Sequence, residues 1–296
     1  MTSPEPWTVR RLLEWTTEHF RTHGSDSPRL DAEILLAAAL GMKRIELYTH
    51  FETEPSESQR GIFREQVKRR AAGEPVAYLV GYKEFFSLPF LVNHETLIPR
   101  PETEMLVIEA LDRLKTRSEL AEPHIADVGA GSGCVAIAIA KNNPRTRITA
   151  IDRSTGALDV ARQNAERHGV SDRVRCVASD LFAALPEEET FDMIVANPPY
   201  VSDAEYEQLP VSVKNFEPKS ALVGGSRGTE IIARLIHEAT GRLRSNGSLL
   251  IEFSPMIAAD CRDLLTDGRW INTAILKDDA RFDRILVSTF VAAKDS

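Results

Sequence analysis

Four residues that could position a substrate for group transfer follow an apolar run at 191–196. They are Asn197, Pro198, Pro199 and Tyr200. Proline lacks an N–H group, so the prolines explain why a buried strand ends here, but they do not explain the asparagine. Because the prolines stiffen the turn, the Asn197 amide and the Pro198 carbonyl are expected to form two fixed hydrogen-bond acceptors. Such a pair suits a planar nitrogen with two hydrogens and holds it in line for a transferred group. The ring of Tyr200 is expected to stack on the planar group that carries this nitrogen or to form one side of its binding site. An aromatic ring after a strand is also common in an ordinary hydrophobic core.

A glycine-rich turn lies upstream, in the sequence GAGSG at 129–133, between a strand-like and a helix-like stretch. Three glycines leave bare backbone at a helix N-terminus, where a ligand can approach closely. A dinucleotide fingerprint requires Gly or Ala five residues after Gly129, and Cys134 stands there instead. The spacing G-x-G-x-G resembles the form usual in enzymes that use S-adenosylmethionine, a cofactor without a pyrophosphate. Taken alone, the turn is explained equally well as a structural turn.

Two acids end the next two predicted strands. Asp152 ends RITAID and is placed to accept hydrogen bonds from both hydroxyls of a ribose, and Asp180 ends VRCVASD, where a carboxylate can receive an adenine amino group. Either acid alone is explained as a solvated or helix-capping residue. Three successive strand ends with suitable groups favour a nucleoside-containing cofactor over coincidence.

These residues require a parallel sheet to bring them together. After Pro123 the pattern alternates between strand, glycine turn, helix and strand, and two further strands flank a helix near 255–265. We predict an α/β fold with a doubly wound, mostly parallel sheet, and the resemblance of the glycine turn to that of S-adenosylmethionine enzymes implies the seven-stranded, Rossmann-like methyltransferase type. Ligands bind such sheets at the carboxyl ends of the strands, where all these turns lie.

The first seventy residues have helical periodicity instead, in WTVRRLLEWTTEHF, SPRLDAEILLAAALGM and a third segment near 57–72. From Glu74 the pattern becomes extended and aromatic, with Gly81 and Pro89 as turn signals. We therefore predict a small all-helical N-terminal domain, a β-hairpin linker and a main domain, at residues 1–73, 74–97 and 98–296.

Composition narrows the class of protein. The 296 residues carry 36 Lys and Arg against 44 Asp and Glu, a net charge of -8, which disfavours long-range attraction to nucleic acid. Three separated cysteines without metal-ligand spacing disfavour a disulfide framework or a structural metal, so we expect no metal. Apolar stretches are too short to cross a bilayer, and the start has no apolar run after a basic segment, so we expect a cytoplasmic protein without a membrane partner.

The sequence also resembles a known family. Asn-Pro-Pro-Tyr after the fourth strand resembles the signature shared by adenine-N6, cytosine-N4 and glutamine-N5 methyltransferases, and the tetrapeptide does not choose among them. EPVAYLVGYKEFFSLPFLVNHETLIPRPETEMLV at 74–107 resembles the linker of HemK/PrmC-type release-factor glutamine methyltransferases. RLDAEILLAAALG at 29–41 resembles their helical domain, and NFEPKSALVGG at 215–225 their segment after the catalytic turn. The resemblance covers nearly the whole chain.

The resemblance implies methylation of the side-chain amide nitrogen (N5) of glutamine in the Gly-Gly-Gln motif of class I peptide chain release factors. S-adenosyl-L-methionine would be converted to S-adenosyl-L-homocysteine, and the N-terminal domain would recognise the substrate. The implied cofactor-binding residues are Gly129, Ala130, Gly131, Ser132, Gly133, Asp152, Asp180, Leu181 and Asn197. The implied catalytic residues are Asn197, Pro198, Pro199 and Tyr200, and the implied substrate-binding residues are these four with Phe85 and Arg100, for which a structural salt bridge is the other interpretation.

Two segments depart from the family pattern. Where the family usually has Gly-Gly-x-Asp-Gly-Leu, this chain has GGSRGT, with Arg227 and Thr229. Where the family has Glu-Ile-Gly-x-x-Gln, this chain has EFSPMIA and keeps only Glu252. The methyl-transfer residues are intact, but the surfaces near Arg227 and Ser254 are expected to differ.

Three alternatives remain at the level of sequence. The first is a glutamine methyltransferase of a ribosomal protein, and the second is an adenine-N6 methyltransferase of nucleic acid, against which the acidic charge argues. The third is a module that binds release factor or cofactor without turnover, against which the intact motifs argue. The sequence does not determine the oligomeric state.

Overall fold

The computed structural model describes residues 6–292. The α-helices are α1 (Val9–Thr22), α2 (Pro28–Leu40), α3 (Glu57–Ala71), α4 (Val76–Val80), α5 (Glu104–Thr116), α6 (Cys134–Asn142), α7 (Thr155–Arg167), α8 (Asp203–Tyr206), α9 (Val211–Lys214), α10 (Glu230–Ala239) and α11 (Ala258–Asp263). The strands are β1 (Tyr82–Phe85), β2 (Leu88–Leu91), β3 (His124–Val128), β4 (Arg147–Asp152), β5 (Val174–Ala178), β6 (Phe191–Ala196), β7 (Val201–Ser202), β8 (Val223–Gly225), β9 (Leu243–Glu252), β10 (Trp270–Lys277) and β11 (Asp283–Phe290).

The chain divides into two compact units. The first comprises Met1–Tyr82 with Val211–Phe216, and the second comprises Lys83–Pro210 with Glu217–Ser296. The predicted boundary at residue 73 therefore lies within the first unit, which also recruits a short segment from far along the chain. Periodicity along a sequence cannot reveal such a return of the chain.

The first unit is helical, as predicted. Its core contains apolar side chains from α1, α2 and α3, among them Leu13, Phe20, Leu35 and Phe63. The Thr8 side chain caps α1 by accepting a hydrogen bond from Arg11 N.

The predicted linker is only partly extended. Residues 76–80 form α4, which ends where Gly81 adopts a left-handed conformation with φ 79°. The hairpin of β1 and β2 follows, and its turn is at Phe86 and Ser87, with φ 50° and 59°, rather than at the glycine or proline signals. The apolar residues between Pro75 and Gly81 fit one helical turn as well as a strand, and periodicity cannot distinguish the two over five residues.

A seven-stranded sheet forms the second unit, as predicted. Its strand order is β10-β11-β9-β6-β3-β4-β5, in which β9, β6, β3, β4 and β5 are parallel and β10 and β11 are antiparallel. Helices cover both faces of the sheet, and two buried apolar clusters lie between the sheet and these helices. The carboxyl ends of β3, β4 and β6 meet at one edge of the sheet, where the glycine turn, Asp152 and Asn197 are found.

Among the helices of residues 6–292, none combines the length and apolar character needed to traverse a lipid bilayer.

Candidate active site

One cleft in the second unit collects most of the residues expected from the sequence. Its lining includes Gly129, Gly131, Asp152, Asp180, Leu181, Asn197, Pro198 and Pro199. Of the other predicted residues of the two turns, Ala130, Ser132, Gly133 and Tyr200 are not among the residues that line it, and Ala130 and Ser132 are buried.

The three glycines of the turn serve different purposes. All have positive φ, at 78° for Gly129, 53° for Gly131 and 77° for Gly133, so other residues would be strained there. A Cβ atom on Gly131 would meet no atom within 4 Å, whereas one on Gly133 would lie 3.1 Å from side chains of Ala161 and Ile137. Gly131 therefore presents bare backbone to the cleft, and Gly133 permits close packing of α6 on α7.

Asp152 is held by the turn that it faces. Its Oδ2 accepts a hydrogen bond from Gly131 N at 2.9 Å, and its Oδ1 accepts one from Ser154 N at 2.8 Å. Each carboxylate oxygen keeps a further lone pair, so the fixed carboxylate can still accept from two ligand hydroxyls.

Asp180 and Leu181 lie at the other side of the same cleft. Asp180 Oδ2 accepts a hydrogen bond from Arg234 Nη2 at 2.9 Å, and its side chain is 62% exposed. Leu181 has φ 49° and is buried, which places an apolar side chain against the cleft floor. Both positions are compatible with a purine ring, although the carboxylate is shared with an arginine that sequence reasoning did not identify.

Asn197 follows β6 and has a fixed amide. Its Nδ2 donates a hydrogen bond to Thr103 Oγ1 at 3.0 Å, and Thr103 is buried. With the nitrogen engaged inside the protein, Oδ1 is the end that remains to accept a hydrogen bond from a substrate in the cleft.

The turn after Asn197 is held by close backbone contacts. A Cβ atom on Gly224 would overlap the carbonyl oxygen of Pro199, and one on Gly228 would overlap that of Tyr200. Val201 N also donates to Leu222 O at 2.9 Å. The ring of Tyr200 packs against a buried apolar cluster, and burial raises the pKa of its phenol, so the hydroxyl stays protonated.

Phe85 and Arg100 do not line this cleft. Phe85 is 1% exposed, and its ring packs against Phe90 at 6.0 Å between centroids. Direct contact with a substrate does not fit this position, so we assign Phe85 to the core. Arg100 Nη2 donates to Glu217 Oε1 at 2.6 Å, and Glu217 Oε2 accepts from Ile98 N at 3.1 Å. The salt-bridge interpretation of Arg100 therefore describes its observed contact.

Two further polar residues support the cleft and were missed from the sequence. Asp127 Oδ2, inside β3, accepts from Ala136 N at 3.0 Å at the start of α6. Burial raises the pKa of Asp127 to about 7, against the lowering effect of that N–H group. Asn164 Nδ2 donates to Ser132 O at 2.9 Å and ties the glycine turn to α7. A polar residue within an apolar strand or helix face was the available signal for both.

Comparison with known proteins shows the family to which the chain belongs. A model described as the PrmC N-terminal domain matches residues 11–81, and one described as the methyltransferase small domain matches residues 103–213. The chain is 54% identical over 283 residues to a release factor glutamine methyltransferase of Rhodopirellula baltica, covering 95% of this chain and 96% of that protein. It is 41% identical over 281 residues to a protein of the same name from Nitratidesulfovibrio vulgaris, covering 94% of each.

Solved structures of lower identity support the fold alone. The hMettl16 catalytic domain bound to the MAT2A 3′UTR hairpin 6 is 16% identical, with a TM-score of 0.55, and the match covers 78% of this chain and 83% of that one. A methyltransferase from Pyrococcus furiosus is 19% identical, with a TM-score of 0.50, over 77% and 98% of the two chains. Identity over nearly the full length, rather than fold, is decisive, and the chain belongs to the release factor glutamine methyltransferase family.

Proposed function

We propose that the protein transfers a methyl group from S-adenosyl-L-methionine to the side-chain amide nitrogen (N5) of glutamine in the Gly-Gly-Gln motif of class I peptide chain release factors. One observation carries the proposal: the Asn197 amide donates to Thr103 through its nitrogen, and the amide oxygen would accordingly accept from a substrate NH₂ group. The name and extent of the relatives support the choice of glutamine over a nucleobase.

The cleft fits the cofactor. Bare backbone at Gly131 admits a close ligand, and Asp152 is fixed with lone pairs available to ribose hydroxyls. Asp180 and Leu181 offer an acceptor and an apolar surface where the adenine would lie. When bound, S-adenosyl-L-methionine supplies a sulfonium methyl group and is converted to S-adenosyl-L-homocysteine.

The chain's own residues then act by orientation. An amide lone pair is delocalised into the carbonyl group and is a poor nucleophile. Hydrogen bonds from the substrate N–H groups to Asn197 Oδ1 and the Pro198 carbonyl would hold the nitrogen in place and favour a localised lone pair. Tyr200, which packs against the core, would form one side of the binding site for the planar amide.

The proton balance needs no strong base. The nitrogen gains a bond to carbon as the bond from carbon to sulfur breaks, and it then carries one hydrogen in excess. A protonated amide is strongly acidic, so water can accept this proton.

The first unit is proposed to recognise the release factor. It exposes several large apolar side chains, with Trp15 51%, Ile45 70% and Ile62 54% exposed. Such residues supply contact area in protein–protein recognition.

Labelled cofactor and a native release factor test the proposed function. We expect one methyl group on the glutamine of Gly-Gly-Gln by mass spectrometry, and loss of labelling when that glutamine is replaced by alanine. Undiminished labelling of the alanine variant contradicts the proposal. Ribosomal proteins and nucleic acid in parallel reactions distinguish the two alternative substrates.

A further inference from the structure

Glu252 is a buried acid beside the candidate active site for which the proposed mechanism has no use. It ends β9, whose Ile251 pairs with Ala196 of β6, so Glu252 lies beside Asn197 at the same edge of the sheet. Glu252 is 1% exposed, and its Oε2 has no hydrogen-bond partner among residues 6–292. A buried carboxyl oxygen without a partner is costly and calls for a functional reason.

The groups that face Glu252 come from three parts of the second unit. The adjacent residues Glu102 and Thr103 contribute a carboxylate and a hydroxyl, Tyr200 contributes a second hydroxyl, and Arg284 of β11 contributes a positive charge. Burial raises the pKa of Glu252 to about 7, and the Thr103 hydroxyl and Arg284 oppose that rise.

Thr103 thus lies between Glu252 and Asn197. Its hydroxyl accepts from Asn197 Nδ2 at 3.0 Å and has only one hydrogen to donate. If that hydrogen goes to the Glu252 carboxylate, the hydroxyl can only accept from Asn197, which keeps Oδ1 toward the cleft. If it went to Asn197 Oδ1 instead, the amide would turn and present N–H groups to the substrate's own NH₂.

We propose that Thr103 and Glu252 are positioning residues: Asn197 Nδ2 donates to the Thr103 hydroxyl, and the nearby Glu252 carboxylate attracts the hydrogen of that hydroxyl away from Asn197, which keeps the Asn197 amide in one orientation. The role rests on the proposed function, because it matters only where Asn197 Oδ1 accepts from a substrate NH₂. This positioning role would explain why a carboxyl group is buried at Glu252, which packing alone does not explain.

Substitutions at Thr103 distinguish the effect of its hydroxyl group from the effect of the volume of its side chain. Thr103→Val keeps the shape and removes the hydroxyl, and Thr103→Ser restores it. We expect kcat for release factor methylation to fall about 100-fold in Thr103→Val, as for a misplaced catalytic group, and to recover to within about threefold of wild type in Thr103→Ser. Calorimetric Kd values for the cofactor should stay within about threefold in both. A valine variant as active as wild type, or a serine variant as impaired as valine, overturns the proposal.

The pH profile tests Glu252 without depending on the folding of the threonine variants. An ionised carboxylate can only accept from Thr103, whereas a protonated one can donate to it and release the hydroxyl hydrogen toward Asn197. We expect wild-type kcat to rise with pH through about 7, following the pKa of Glu252, and to be flat in Glu252→Gln. Asp127→Asn, which removes the other buried acid with a pKa of about 7, should keep the rise. A rise that survives in Glu252→Gln overturns the proposal.

A spectroscopic measurement needs no release factor. The side-chain NH₂ signals of Asn197, identified by their absence in Asn197→Ala, should move with pH through about 7 in wild type and not in Glu252→Gln. Signals that do not respond to pH contradict the relay. If wild type fails to label the glutamine but these signals respond, only the proposed function fails, and if wild type labels it but Thr103→Val is fully active, only the positioning role fails.

Discussion

Asn197 contacts the fold through the nitrogen of its amide, and we propose that the amide oxygen receives the substrate. The nitrogen is bound to Thr103, and the oxygen stays available at the end of β6, beside Pro198 in the cleft. Asp152 divides its carboxylate in a similar way, with one hydrogen bond from the backbone to each oxygen. At the residue scale, the protein fixes polar groups by their inner contacts so that little reorganisation is needed when ligands bind.

Replacing Asn197 should separate catalysis from cofactor binding. In Asn197→Ala we expect kcat to fall by about 100- to 1,000-fold, because one of two fixed acceptors is lost. The cofactor Kd should change by less than about threefold, since Gly131 and Asp152 remain. Single-turnover methylation and calorimetry measure the two quantities. Asn142→Ala, at the exposed end of α6, is the matched control and should behave as wild type.

At the scale of elements, the turn at residues 197–200 depends on the segment at 223–228. Gly224 and Gly228 approach the carbonyl groups of Pro199 and Tyr200 so closely that no side chain fits. Both glycines are present in this chain although neighbouring Arg227 and Thr229 depart from the family pattern. The departures therefore fall around a backbone contact that the turn still requires.

Adding one methyl group at Gly228 should disturb this turn. Gly228 has φ 82°, and an alanine Cβ would overlap Tyr200 O. We expect Gly228→Ala to lower the free energy of unfolding by about 1–3 kcal/mol and kcat by about 100-fold. Chemical denaturation and methylation assays measure both. Gly241→Ala, where the nearest atom to the new Cβ is 3.7 Å away, should be near wild type, and equal behaviour of the two variants would contradict this role.

At the scale of the whole molecule, two units divide the proposed tasks. All residues that line the cleft belong to the second unit, and the first unit carries the exposed Trp15, Ile45 and Ile62. Cofactor binding and recognition of the release factor should therefore be separable.

Truncation tests this division. A chain that begins at Lys83, the first residue of the second unit, should keep its cofactor Kd within about threefold, and its kcat/KM for the release factor should fall at least about tenfold. Calorimetry and initial rates measure these values. An unchanged kcat/KM would show that the helices do not recognise the substrate. The segment Val211–Phe216 loses its helical neighbours in this chain, so cofactor affinity is also the control for folding.

Stability should depend on pH through Asp127. Its folded pKa of about 7 lies above its ordinary value of 3.8, so its contribution to stability is complete below about pH 4 and is lost as pH rises toward 7. We expect Asp127→Asn to gain on wild type by about 1.4 kcal/mol per pH unit between pH 5 and 7, with no further gain above. Urea unfolding at several pH values measures the difference. Asn142→Ala, which removes no titratable group, should show a constant difference, and a constant difference for Asp127→Asn would contradict the prediction.

The sequence alone determined the features that depend on short-range pattern. Alternating strands and helices predicted the parallel sheet, which the structure confirms. The glycine turn, the acids at strand ends and the Asn-Pro-Pro-Tyr turn predicted one cleft, because the carboxyl ends of parallel strands must meet at one edge. Hydrophobic periodicity sufficed for the first helices, but not for α4 or the turn at Phe86 and Ser87, which are too short for a period to be read.

Only the tertiary structure decided which distant polar residues support the cleft. Thr103 binds Asn197 across 94 residues of sequence, and Glu217 binds Ile98 across 119. The tertiary structure also shows that Phe85, which we expected to contact the substrate, is buried in the core. It further shows that Val211–Phe216 belongs to the first unit. Such contacts follow from how whole elements pack, and neither residue type nor spacing along the chain specifies the partner of a buried hydroxyl or carboxyl group.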